Sequence, residues 1–292
     1  MNRDLEALYD KMLVDGFNYV EEKCKNEVGY IFERDEDGNT MLHYAACDGN
    51  LDAIKQLIIL GACPFIYNRI AMTPLSNAAG CGNVSCLKSL LEISHYGLLD
   101  HDRAELMAIA ASKGKYENLE LMLNEGFDCN LYHREDPILY WAMQSESLDI
   151  VKLLCEHGAE VNAVNDVGNA PLYDASANGL IGILEYLISY GACIDKPMNN
   201  GSTPLIIACC YNQVGVARIL LSHGCDMEAK TKDGITALLY AIGYGNVELV
   251  QLLLNKGADK NITDKRNKGI SSYCNRIKNR HVKDSMKELL QI

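Results

Sequence analysis

The sequence predicts an all-α solenoid, a stack of antiparallel helix pairs joined by hairpin-like loops. Three observations carry that expectation: a pattern returning every 32 or 33 residues, glycines recurring at two fixed places in each period, and apolar stripes of helical spacing between them. With the start of each first helix as a mark, the marks fall at Thr40, Thr73, Glu105, Pro137, Ala170, Thr203 and Thr236. Nine residues after each mark stand Gly49, Gly82, Gly114, Glu146, Gly179, Asn212 and Gly245. Glycine and asparagine tolerate the left-handed turn between two antiparallel helices, and only Glu146 breaks the rule.

A second glycine closes each second helix at Gly61, Gly97, Gly126, Gly158, Gly191, Gly224 and Gly257. Six of these lie 21 residues after their marks and Gly97 lies 24 after, which places a three-residue insertion near Ser94-His95-Tyr96. Between the two glycines, Ile54, Leu57 and Ile58, or Ile150, Val151, Leu153 and Leu154, share one helical face. Ahead of the marks, Asp37-Gly38, Val167-Gly168, Asn200-Gly201 and Asp233-Gly234 are residues that hairpin tips accept. In Thr73-Pro74-Leu75 and Thr203-Pro204-Leu205 the threonine caps free backbone N–H groups, and the proline takes the first helical position, where its missing N–H costs nothing.

The strings Thr40-Met41-Leu42-His43-Tyr44-Ala45-Ala46, Thr73-Pro74-Leu75 and Leu252-Leu253-Leu254-Asn255-Lys256-Gly257-Ala258-Asp259 resemble the signature of the ankyrin-repeat family, whose period, turn and two-helix unit also match. The resemblance implies an ankyrin-repeat solenoid over 1–292, with seven repeats over 35–261, an N-terminal capping unit over 1–34 and a C-terminal capping unit over 262–292. In the first cap, Leu5, Leu8, Tyr9 and Met12 face Val20 and Cys24 across Gly16; in the last, Tyr273, Cys274 and Ile277 precede Val282, Met286, Leu289 and Leu290. If both ends are paired, about eighteen helices are expected. The third and fourth repeats are the least regular, because Glu105 and Pro137 replace threonine while Arg103 and Glu135 stand where the hairpin glycine belongs.

Charge is divided unevenly. Residues 260–292 hold nine Lys/Arg against three Asp/Glu, so a chain of net −12 carries −18 over residues 1–259. An acidic body repels a phosphate backbone, so nucleic acid is a disfavoured partner. The basic cluster suits a terminal unit that must be polar on its outer side. No apolar run is long enough to insert into a membrane, and the N-terminus lacks the build of a secretory signal; a cytoplasmic place is expected, or the host cytoplasm for a protein delivered by an intracellular bacterium. The twelve cysteines include no Cys-x-x-Cys pair and read as reduced core thiols, with Cys63 and Cys193 at one repeat position, one residue off that of Cys225, suggesting a small packing slot.

No Gly-x-x-x-x-Gly-Lys loop, His-Glu-x-x-His or Gly-x-Ser-x-Gly string occurs, so no enzyme, catalytic residue, cofactor or metal is expected. His43 stands at the family's histidine position, where the resemblance implies a structural bond to backbone. The resemblance also implies that first helices and hairpin tips line a concave groove. Four residues after the marks that groove carries Tyr44, Asn77, Ile109, Trp141, Asp174, Ile207 and Tyr240, with Tyr211 and Tyr244 near helix ends. Tyr44, Ile109, Trp141, Asp174, Ile207, Tyr211, Tyr240 and Tyr244 are therefore the candidate binding residues, since aromatic rings at open positions anchor partners. The function expected is a protein-interaction module that holds an apolar or basic protein or peptide. The other readings are a binder of a small phosphorylated ligand or RNA fragment, for which only Lys113, Arg134 and Lys232 are available, an architectural solenoid, and an effector delivered into host cells.

Irregular repeats contribute weaker neighbour interfaces, so residues 95–140 should open first. Native-state hydrogen exchange checks this: amides there should exchange faster than those in residues 200–255, and equal protection would reject a soft joint.

Overall fold

The computed structural model describes residues 5–27, 29–94 and 97–292; His95 and Tyr96, on which the inserted turn falls, lie outside the described residues. Two compact units are present, Met1–Arg134 and Glu135–Ile292. The division falls inside the irregular stretch, between two residues with left-handed backbone, Arg134 and Glu135.

In the first unit, α1 (Leu5–Asp15) and α2 (Asn18–Asn26) are followed by a short 3-10 turn (Tyr30–Phe32) and three helix pairs. These are α3 (Met41–Cys47) with α4 (Leu51–Ile59), α5 (Pro74–Cys81) with α6 (Val84–Ser94), and α7 (Asp100–Ser112) with α8 (Tyr116–Asn124). The second unit holds α9 (Ile138–Met143) with α10 (Leu148–Glu156), α11 (Pro171–Asn178) with α12 (Ile181–Ser189) and α13 (Pro204–Cys210) with α14 (Val214–Ser222). It continues with α15 (Ala237–Tyr244) and α16 (Val247–Asn255), then α17 (Ile270–Cys274) and α18 (Arg280–Leu290). Eighteen α-helices are thus found among the described residues. Within each unit the first helices pack on first helices and the second on second, giving two layers.

The core follows the apolar stripes. Ile54 and Leu57 of α4, and Ile150, Val151, Leu153 and Leu154 of α10, are buried. Small residues let the inner helices approach: Ala45, Ala46, Ala78, Ala79, Ala110 and Ala111 are fully enclosed. Both ends pack as helix pairs, with Leu5, Tyr9, Met12 and Val20 buried at one and Tyr273, Cys274, Met286 and Leu290 at the other. The cysteine slot is not a common one: Cys225 is buried, but Cys63 is half-buried and Cys193 exposed.

Caps behave as the sequence requires. The Thr73 hydroxyl accepts the Ser76 N–H at 3.0 Å, and Thr203 and Thr236 do likewise for Ile206 and Leu239 at 3.5 and 3.4 Å. His43 is 1% exposed; its Nδ1 accepts the Thr40 N–H at 3.0 Å, which leaves Nε2 to donate to the Met72 carbonyl at 3.1 Å. Burial pushes its pKa down, so the neutral ring that this bonding needs is favoured.

Glu146 keeps the backbone geometry that its residue type argued against. Its φ is +53°, beside +66° at Gly49 and +77° at Gly245, so the turn imposes a left-handed conformation on a residue that disfavours it. The third repeat departs further: α7 begins at Asp100, five residues before the mark at Glu105, because Asp102 accepts the Leu99 N–H at 2.9 Å and starts the helix early. Arg103 accordingly sits inside α7 and not at a hairpin tip. Gly97 also differs from the six other closing glycines, which all have positive φ.

Successive hairpins are tied tip to tip by backbone bonds. The Arg69 N–H donates to the Asp37 carbonyl at 2.8 Å, Lys232 to Asn200 at 2.8 Å and Lys265 to Asp233 at 2.9 Å. At Gly201 a Cβ would stand 2.9 Å from the Lys232 nitrogen, so glycine is required there for approach as well as for its φ of +83°. Side chains add a second tie. Asn68 donates to Asn39 Oδ1 at 2.8 Å and Asn165 to Asp136 Oδ1 at 3.0 Å, each from five residues before one mark to one residue before the previous mark. The next such donor position holds Met198, whose side chain has no N–H to give, and the facing Asn169 Oδ1 is buried without a partner.

Supplying the missing donor should therefore stabilise the chain. Met198→Asn is expected to gain about 1 kcal/mol, read as a rise of roughly 2 °C or more in the thermal midpoint. An unchanged or lowered midpoint would show that Asn169 has no unmet acceptor.

Candidate functional site

Position four after the mark lies on the exposed side of the inner helices, because positions two, five and six turn into the stack, as Leu172, Ala175 and Ser176 do in α11. In the second unit this row reads Trp141, Asp174, Ile207 and Tyr240 on α9, α11, α13 and α15. Trp141, Asp174 and Tyr240 are half-buried. Ile207 is a correction to the expected site: it is 6% exposed, its side chain having been absorbed into packing between neighbouring inner helices, so it offers no open anchor. Tyr211 and Tyr244 are 62% and 64% exposed and stand at the ends of α13 and α15.

Ring contacts organise the row. Tyr240 and Tyr244, one turn apart on α15, stack with centroids 6.3 Å apart and an interplanar angle of 10°. Trp141 meets Tyr140 edge to face at 6.4 Å. Tyr140 and Tyr173, which stand at the repeat position that His43 holds, are not among the residues the sequence pointed to. Both are half-buried, and their presence at one repeat position in successive units was the available signal. Burial raises the Tyr173 pKa above its ordinary value, and nearby Tyr211, Cys210, Asp174 and Tyr240 raise it further, which marks these groups as one cluster.

Asp174 is the acid at the centre of that cluster. Its carboxylate accepts from Asn169 Nδ2 at 2.7 Å. Burial pushes its pKa up to about 6 from 3.8, the Asn169 bond opposes the shift, and the charge of Asp136 adds to it.

In the first unit, Tyr44 and Ile109 occupy the same position four. Tyr44 stacks on Tyr9 at 6.0 Å and gives its hydroxyl to Asp35 Oδ2 at 2.5 Å, so its polar end braces the hairpin and only part of the ring remains open. Burial opposes ionisation of Asp35, but bonds from Tyr44, Asn39 and Asp37 overcome it and hold the pKa below the ordinary value. Tyr273 repeats the device on Asp264 at 2.9 Å. Ile109 is half-buried beside Gly80, where a Cβ would meet its Cγ2 at 3.0 Å. Of the basic groups considered for a phosphorylated ligand, Lys113, Arg134 and Lys232 are all exposed, at a helix end or in turns. Among the described residues no group of three His, Cys, Asp or Glu is placed to hold a metal ion. No helix among them is long and apolar enough to cross a membrane.

Helix pairs of this period, with glycine-turned hairpins and an open inner face, define a repeat protein of the ankyrin type. The chain belongs to the ankyrin-repeat family: a three-copy ankyrin profile matches residues 12–103, 42–133, 106–198 and 193–264. It is 30% identical over 150 residues to the B-cell lymphoma 3 protein homolog of Mus musculus, covering 49% of this chain and 33% of that protein. The Homo sapiens B-cell lymphoma 3 protein is 27% identical over 207 residues, covering 56% and 45% respectively. An ankyrin repeat protein of fowlpox virus (strain NVSL) is 29% identical over 173 residues, covering 56% of this chain and 18% of its own length. The chain thus spans less than half the length of each of these relatives. Ankyrin repeats are general protein-interaction modules.

Asp174 holds its proton more tightly in the folded chain than in the unfolded one, so stability falls as pH rises through the window from 3.8 to about 6. Asp174→Asn should remove that loss, raising stability near neutral pH by up to about 3 kcal/mol, with the gain vanishing below about pH 4. Melting curves across that range check it; equal midpoints at neutral pH would mean that the carboxylate is fully compensated.

Proposed function

We propose that this chain is a protein-interaction module whose second unit holds a peptide or folded partner on the inner faces of α9, α11, α13 and α15. The observation that carries the reading is the row formed by Trp141, Tyr173, Asp174, Tyr211, Tyr240 and Tyr244, which exposes large ring area beside a carboxylate. Tyrosine and tryptophan cover much surface with few rotatable bonds, so fixing them on binding costs little entropy. The net charge of −18 over residues 1–259 favours a partner with basic as well as apolar side chains, and mainly speeds its arrival. The first unit contributes less, because Tyr44 has committed its hydroxyl to Asp35.

Peptides selected from a random display library against the full chain provide the test. Trp141→Ala should weaken a selected peptide by about 2 kcal/mol or more, roughly thirtyfold, in calorimetric titration. Folding should survive, since a tryptophan serving as core would cost about 3–5 kcal/mol of stability and lower the melting temperature sharply. A well-folded variant with unchanged affinity would move the partner off this row.

A further inference from the structure

The third repeat, where the pattern fails, contains a cavity. It measures about 240 Å³ and lies in the first unit among α6, the start of α7 and α8. Helices α6 and α8 belong to the layer opposite the inner helices, so this is not the partner-binding row. Its origin is local. Helix α6 runs for 11 residues where α4 and α8 run for 9, and α7 starts early, so Leu98 and Arg103 stand where other repeats place a hairpin.

Leu91, Leu98, Leu121 and Phe127 supply apolar walls. Lys88, Glu92, Arg103 and Glu125 supply the charges, two of each sign. Arg103 is the incomplete member. Its guanidinium lies 5.4 Å from the centre of the Phe127 ring, and its Nε is buried with no hydrogen-bond partner. Its one ion contact is a long one, 3.9 Å to Asp100, whose side chain is 80% exposed. A buried donor on a cation is costly to leave unmade, and guanidinium is matched in shape and charge by a carboxylate. The two glutamates bring the lining to neutrality, which admits a single negative charge more readily than a phosphate ester.

We propose that this cavity binds a small monocarboxylate with an apolar body, the carboxylate on Arg103 with Lys88 nearby and the body among Leu91, Leu98, Leu121 and Phe127. The site is independent of the partner-binding row, and its success or failure leaves that reading untouched.

The probe is 3-phenylpropionate, titrated into the full chain by calorimetry and by ligand-observed NMR, with 3-phenylpropanamide as its uncharged match. Saturable binding is expected in about the millimolar range, as suits a ligand of this size. The amide should bind about tenfold more weakly, and Arg103→Gln should abolish the preference for the acid. If Arg103→Gln does not fold, the acid-to-amide ratio in the wild type and in Arg103→Lys decides the question, lysine keeping the charge but losing the paired geometry. Equal binding of acid and amide, an acid preference that survives Arg103→Gln, or no saturation at about 20 mM would each overturn the proposal.

Discussion

The last four carbonyls of an α-helix have no partner within it, and at the ends of the inner helices the neighbouring repeat supplies donors. Asn83 Nδ2 donates to the Gly49 carbonyl at 2.7 Å, Gln213 Nε2 to Ala177 at 3.0 Å and Asn246 Nδ2 to Cys209 at 3.0 Å. Asn118, fully buried, donates to both Ala78 and Ala79 at 3.0 Å. These amides tie the start of one outer helix to the end of the inner helix in the repeat before it. A helix pair in isolation would have neither its carbonyls nor its apolar face covered, which is why the period is kept even where the residues that mark it are lost.

That division of labour explains which features could be read from the sequence. The period, the helix pairs, the caps and the role of His43 all follow from local chemistry, and local chemistry is written in adjacent residues. What escaped is decided by packing between repeats or by competing partners within one. Glu146 is held in a left-handed turn by its surroundings, against the preference of its own side chain. Ile207 occupies the same repeat position as Trp141 and Tyr240 but is buried by its neighbours. Tyr44 has the composition of an open anchor, yet its hydroxyl is bound nine residues back along the chain. The early start of α7 turned on one carboxylate, Asp102, that competed with the family's usual starting position.

The same trade between hairpin and inner helix distinguishes the two faces of the candidate site. In the first and last units an aspartate on the hairpin is capped by a tyrosine from the inner helix, Asp35 by Tyr44 and Asp264 by Tyr273. In the repeat of α11 the order is reversed, with Asn165 on the hairpin and Asp174 on the helix. Moving the acid removes its tyrosine cap and sets a carboxylate beside the ring of Tyr173. Position four is thus a brace where the residue five before the mark is an aspartate, as at Asp35 and Asp264.

Bonds that cross a repeat boundary reach only the next repeat: Lys232 to Asn200, Lys265 to Asp233, Asn246 to Cys209. They are arranged in series, like links in a chain, and no strut spans several links. A pull on the ends of the segment from α11 to α18 would load each boundary with the same tension, and each boundary would open on its own. The segment would lengthen in small steps and recover in small steps, with the mechanics of a spring.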